Sequence, residues 1–179
     1  IEESSDLLND YENIDLIFAI YLGIFLSMFI YNLFVFFSVR DSVYLLYIFY
    51  IFTVGYTQLV LFGFSSKYIF NFSGDLNISL GSIVPGLSGL ATIFFAQNFI
   101  RTVQYAPRVN RVLNFFKLVY FGAIVLAFFG FHNTTQIILN VGASSALILI
   151  FASLRAIKQR YKPARYFLAA WIIFIIGLT

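Results

Sequence analysis

The residue types that carry chemistry are scarce in this 179-residue chain. It contains no cysteine and one histidine, His132, so a thiolate nucleophile and a Cys/His zinc site lack their ligands. Five of the eight acidic residues precede the first long apolar run, and a sixth, Asp15, lies at its start. Acid–base catalysis needs a positioned base, and a hydrolytic triad needs Ser, His and a carboxylate together. The sequence therefore predicts no catalytic, metal-ligating or cofactor-binding residue in this part of the protein.

Long apolar runs must position the few polar groups that remain. Hydrophobic residues make up 61% of the chain and charged residues 11%, against averages of about 45–50% and about 25% in soluble proteins. Each full-length run reaches the roughly 20 residues that a helix needs to cross a bilayer, and none has a polar face for water. We predict an all-helical bundle in the lipid bilayer, with about six spans at 14–39, 44–64, 78–100, 112–131, 135–154 and a truncated 166–179.

The segments between the spans differ in length and charge. Residues 1–13 are acidic and polar, and we interpret them as an extracytoplasmic linker or a disordered end that precedes the transmembrane domain, 14–179. Residues 40–43 form a hairpin turn, and residues 65–77 are predicted to form a longer loop. Because Ile1 is not Met and Thr179 falls inside an apolar run, we expect the natural chain to extend at both ends.

The distribution of cations predicts the orientation of the bundle. Cytoplasmic loops carry an excess of Lys and Arg, and the loops on the opposite side hold only Lys67. The N-terminus is therefore expected outside the cell, with the protein integral to the inner membrane. We do not expect nucleic acid as a partner, because topology and anionic headgroups explain the basic clusters. The cations on the predicted cytoplasmic side are Arg40, Arg101, Arg108, Arg111, Lys117, Arg155, Lys158, Arg160, Lys162 and Arg165.

Isolated polar residues inside the spans are candidates for contacts between helices. Asn32, Gln58 and Asn140 carry amides that are costly against lipid, and an interhelical hydrogen bond stabilises by about 1 kcal/mol. Alternatively, these amides line the pathway of a transporter or channel. Pro85 followed by Gly86 interrupts backbone hydrogen bonding within the third span, which makes the pair a candidate pivot.

Several strings resemble the bacterial seven-transmembrane receptors with diverse intracellular signalling modules. The segment 165–171 resembles the entry to the sixth span of that family, and about six of seven spans are covered. Within 94–100, Gln97 and Asn98 replace a basic pair that is common in the family. The other resembling residues are Tyr21-Leu22-Gly23-Ile24-Phe25, Tyr31-Asn32-Leu33-Phe34, Arg40-Asp41, Tyr44-Leu45-Leu46-Tyr47, Gly63 and Tyr68.

The resemblance implies a sensor or receptor module. In such a receptor an upstream domain binds an extracytoplasmic ligand, and a downstream cytoplasmic kinase, nucleotide cyclase or phosphatase provides the output. Because output domains of this sort act as pairs, a homodimer is expected. Small residues at 19, 23 and 27, or at 142–146, would allow the close approach of a second copy. A transporter or channel component, and a purely structural anchor, are the alternatives.

Overall fold

The computed structural model describes residues 2–65, 74–131 and 133–176. These residues are almost entirely helical, which confirms the predicted all-α class. Residues 66–73, with Lys67 and Tyr68, and His132 lie outside the described residues. The helices are α1 (Glu2–Val39), α2 (Ser42–Leu61), α3 (Gly74–Ile100), α4 (Thr102–Tyr105), α5 (Pro107–Phe128), α6 (Thr134–Lys158) and α7 (Pro163–Ile176).

Five of these helices are long and apolar enough to cross a membrane. Large apolar side chains remain exposed within the spans, among them Phe34 at 70%, Leu118 at 67% and Leu147 at 69%. Lipid accommodates such side chains, whereas water does not. The chain is therefore an integral membrane protein. The five candidate spans are Phe18–Val39, Ser42–Leu61, Ser79–Ile100, Pro107–Phe128 and Thr134–Lys158.

All six predicted helices begin earlier than the sequence predicted, α1 by the most, and one short helix was not predicted. Helix α1 starts at Glu2, within the predicted linker, because Glu and Leu favour helices and acids suit a helix N-terminus. Helix α3 starts at Gly74, inside the predicted loop. Between α3 and α5 the chain forms the single helical turn α4, and Pro107 then opens α5, where its missing N–H costs nothing.

The chain divides into two compact units, Ile1–Ile51 and Phe52–Thr179. In the first unit, α1 ends at a short turn where the Arg40 N–H donates to the Phe36 carbonyl at 2.7 Å. The Asp41 carboxylate then accepts the Val43 N–H at 2.9 Å. This side-chain bond satisfies one free donor at the start of α2, so Asp41 caps that helix.

The second unit has a packed core of its own. Helices α3, α5 and α6 contact one another, α7 packs on α6 and α3, and α4 touches α3, α5 and α6. The fully buried side chains include Ile93 and Ile100 from α3, Leu113 from α5 and Leu149 from α6. The core therefore follows the contact of α3, α5 and α6.

Two kinds of residue take the left-handed conformation just after a helix. After α1, α3 and α6 an arginine takes the left-handed conformation: Arg40 at φ 55°, Arg101 at 54° and Arg160 at 63°. After α2 and α5 a glycine does so, Gly63 at 74° and Gly130 at 84°. The left-handed region costs a residue with a side chain about 1–2 kcal/mol, and glycine avoids this cost. Arginine therefore occupies three positions where glycine would have the lower backbone energy.

Candidate functional site

The main polar cluster of the second unit lies where α3, α4 and α5 meet. The Gln97 amide nitrogen donates to the side-chain oxygen of Asn110 at 2.8 Å and to that of Asn114 at 3.0 Å. The Thr102 hydroxyl donates to the same Asn110 oxygen at 2.7 Å. Gln97 and Thr102 are buried. Both hydrogens of the Gln97 amide are thus bound to α5, and the cluster fixes the position of α3 relative to α5.

The turn between α6 and α7 is attached to the corner between α3 and α4. The Tyr161 hydroxyl donates to the Phe99 carbonyl at 3.1 Å, and the Gln159 amide donates to the Tyr105 carbonyl at 2.9 Å. The rings of Tyr105 and Tyr161 stack with centroids 4.7 Å apart, and the Arg101 guanidinium lies 5.9 Å from the Tyr161 centroid. We call these five residues the basic-end joint, because exposed arginines and lysines cluster at this end of the second unit.

An aromatic contact continues the joint toward the middle of the bundle. Phe167 of α7 lies 6.3 Å from Phe95 and 6.1 Å from Phe99 of α3, measured between ring centroids. Trp171 follows on α7, 6.0 Å from Phe167. Phe95 and Phe167 are buried. Helix α7 is therefore held to α3 both by the joint and by contacts between tilted aromatic rings.

The predicted pivot lies at a close contact of three helices. A Cβ on Gly86 would lie 2.7 Å from Ile124 Cγ1 of α5 and 3.3 Å from Ile138 Cδ1 of α6. Three residues further along α3, a Cβ on Gly89 would overlap the ring of Tyr120. Pro85 itself is half-buried in a helix that continues on both sides of it. The glycines let α3 approach α5 closely, and the role of this region as a pivot stays a prediction.

The other predicted polar residues differ in burial and in hydrogen bonding. Asn32 is buried, and its amide donates to the Met28 carbonyl in its own helix at 2.7 Å, where the sequence predicted a bond between helices. Gln58 is half-buried on α2, and Asn140 is exposed on α6. A side-chain amide can satisfy itself on the carbonyl one turn earlier, so a polar residue in a span does not require a partner helix.

Eight of the ten cations predicted on the cytoplasmic side are exposed at one end of the second unit. We call this the basic end. They follow α3, open α5, end α6 and flank the start of α7. Lys117, further along α5, is half-buried and places its nitrogen 4.3 Å from the centroid of the Phe94 ring. The exposed residues are Arg101, Arg108, Arg111, Arg155, Lys158, Arg160, Lys162 and Arg165.

The sequence interpretation missed the partners of Gln97. Asn110 and Asn114 are four residues apart and so lie on one face of α5. Because the span was predicted to start at 112, Asn110 was assigned to the preceding loop. The four-residue spacing of the two asparagines was therefore not recognised as a shared helix face. The pair of amides one turn apart was the signal available in the sequence.

Comparison with known proteins identifies the family of this membrane bundle. No curated protein and no solved structure matches the chain. The family model described as 7TM diverse intracellular signalling matches residues 14–179. This match spans well over half of the chain and covers all of α2 to α7 and most of α1, so the chain belongs to the 7TM diverse intracellular signalling family.

Proposed function

We propose that this chain is the transmembrane sensor module of a receptor that relays an extracytoplasmic signal to a cytoplasmic effector domain. A ligand bound by an upstream domain is the input, and a kinase, nucleotide cyclase or phosphatase downstream of α7 is the output. The effector, not this 179-residue part, supplies the catalytic step. Membership in a family of membrane proteins with intracellular signalling supports the proposal.

The basic-end joint is the observation that carries this proposal. It ties α7, the last described helix, to the end of α3 through the hydrogen bonds of Tyr161 and Gln159. In our proposal the bundle has two packing arrangements, and a signal shifts the population between them. A displacement of α3 about Pro85 and Gly86 would then move the start of α7. In this proposal the joint transmits the displacement of α3 to the start of α7.

Cross-linking the joint is expected to restore the response of a full-length receptor whose joint has been weakened. The chain contains no cysteine, so a Tyr105→Cys/Tyr161→Cys variant offers one pair of thiols within this part of the protein. A short bifunctional methanethiosulfonate should join them, because the two rings stack at 4.7 Å. Before treatment the variant lacks the ring stack and the Tyr161 hydroxyl, so effector output should respond only weakly to the stimulus. Cross-linking ties the two turns together again and should restore the response, and reduction should remove it.

The two single-cysteine variants, treated in the same way, cannot be joined within one chain and serve as controls, so the treatment should leave their responses unchanged. A cross-linked double variant that responds like its reduced form would remove the joint from the relay. If an unrelated membrane anchor in place of the bundle preserved the response, the bundle would be a structural support and not a sensor.

Thiol labelling tests the proposed orientation in the inner membrane. Lys158→Cys places a thiol at the basic end, and Asn133→Cys places one at the opposite end, on positions that are both exposed. With the N-terminus outside, a membrane-impermeant maleimide added to intact cells should label the Asn133 variant and spare the Lys158 variant. Permeabilised cells should give labelling of both. Labelling of the Lys158 variant in intact cells would reverse the proposed orientation.

A homodimer is part of the proposal. On α1, Ala19, Gly23 and Ser27 recur at every fourth position and are exposed, and a Cβ on Gly23 would meet no atom within 4 Å. Such a row lets the backbone of a second copy approach closely. On α6 the corresponding residues are divided, since Ser145 is buried while Ala143 and Ser144 are exposed. The exposed row favours α1 as the contact.

A further inference from the structure

The basic end of the second unit carries positive charge without carboxylates to balance it. From Phe52 onward the only acidic residue is Asp75, which belongs to the first turns of α3, at the opposite end of that helix. The eight cations of the basic end are all exposed. Their counterions must therefore come from outside this unit, and the partner that complements them is an anion.

Two of these cations occupy positions that backbone energy alone would assign to glycine. Arg101 and Arg160 are left-handed at φ 54° and 63°, whereas the corresponding positions at the other end of the helices hold Gly63 and Gly130. Since glycine adopts this conformation without a steric penalty, backbone geometry does not explain the arginines. The guanidinium groups are the feature that distinguishes the two ends.

The two arginines belong to adjoining turns. Arg101 stands at the α3–α4 corner and Arg160 in the α6–α7 turn, and the basic-end joint binds these two segments together. Tyr166, 76% exposed at the start of α7, adds an aromatic side chain of the kind found at the headgroup level. A planar guanidinium binds phosphate oxygens in a bidentate way, and basic residues next to membrane spans attract anionic headgroups.

We infer that the basic end is a binding surface for the headgroups of anionic phospholipids, with Arg101 and Arg160 as its central contacts. The bound phosphates neutralise the clustered cations. They also stabilise the contact between the two turns of the joint. Phosphatidylglycerol provides the required chemistry, and phosphatidylcholine, whose headgroup has no net charge, does not. The inference concerns lipid binding alone and does not depend on an effector or a ligand.

The unfolding temperature of the purified 179-residue chain in a neutral detergent tests this inference. Phosphatidylglycerol added to the micelles should raise the midpoint more than phosphatidylcholine does. An Arg101→Gly/Arg160→Gly variant should lose most of the difference between the two lipids. Its midpoint in phosphatidylcholine should rise, because glycine adopts the left-handed conformation without the steric cost that arginine has there. An Arg101→Lys/Arg160→Lys variant keeps both charges and should retain a clear preference for phosphatidylglycerol.

Native mass spectrometry provides a second readout that does not depend on unfolding. The parent chain should retain more phosphatidylglycerol than the glycine variant under identical conditions. The inference is overturned if the glycine variant keeps the full preference of the parent. It is also overturned if inorganic phosphate produces the same shift as phosphatidylglycerol, because the surface would then bind a free anion and not a lipid.

Discussion

Replacing Gly89 by Ala is expected to lower the free energy of unfolding by about 2 kcal/mol. The new methyl group would overlap the ring of Tyr120, which is 2% exposed and therefore has little room to move. Beyond that ring, the Tyr120 hydroxyl already lies 3.4 Å from the Cβ position of Gly142. Overpacking costs about 1–3 kcal/mol, which exceeds the roughly 1 kcal/mol that alanine gains over glycine in a helix. Titration with a denaturing detergent in bicelles measures the change.

Gly122→Ala on α5 is the matched control, because a Cβ at that position meets no atom within 4 Å. It should leave the free energy of unfolding unchanged or raise it by up to about 1 kcal/mol. Combining Gly89→Ala with Tyr120→Leu should cost less than the sum of the two single changes, since the smaller side chain relieves the overlap. Equal stability of Gly89→Ala and Gly122→Ala would contradict the close approach of α3 to α5.

Replacing Gln97 by Leu is expected to lower the free energy of unfolding by about 1–2 kcal/mol. The change removes the bonds from the Gln97 amide to Asn110 and Asn114. A hydrogen bond between membrane helices is worth about 0.6 kcal/mol on average and up to about 1.7 kcal/mol. Two such bonds are lost here at once. The same denaturing titration measures this effect, and a double-mutant cycle with Asn110→Leu isolates the coupling between the two side chains.

The neighbouring amide provides the control for this prediction. Asn98 is exposed, and its side chain donates to the Phe94 carbonyl of its own helix at 2.9 Å. Asn98→Leu should therefore change the free energy of unfolding by less than about 0.5 kcal/mol. A cost for Asn98→Leu equal to that for Gln97→Leu would mean that the polar cluster does not hold α3 to α5.

Sequence patterns predicted the class of this protein because hydropathy depends only on consecutive residues. Length and composition of each run identify a membrane span without any knowledge of its neighbours. The helix limits were less well predicted. Helix α1 extends to Glu2 through residues that are polar but favour helices, and α4 fills part of a segment between two predicted spans. Hydropathy marks where lipid begins, whereas a helix ends where backbone bonding or capping ends.

By itself the sequence determined that the chain is a helical membrane bundle, and the strings at its two ends resembled the family that the comparison then confirmed. Only the tertiary structure decided which polar side chains meet: Gln97 binds α5, Asn32 binds its own helix, and Asn140 is exposed. The reason is geometric. A helix that is apolar all round has no stripe to mark its buried face, so the contacts depend on the rotation and crossing of packed helices.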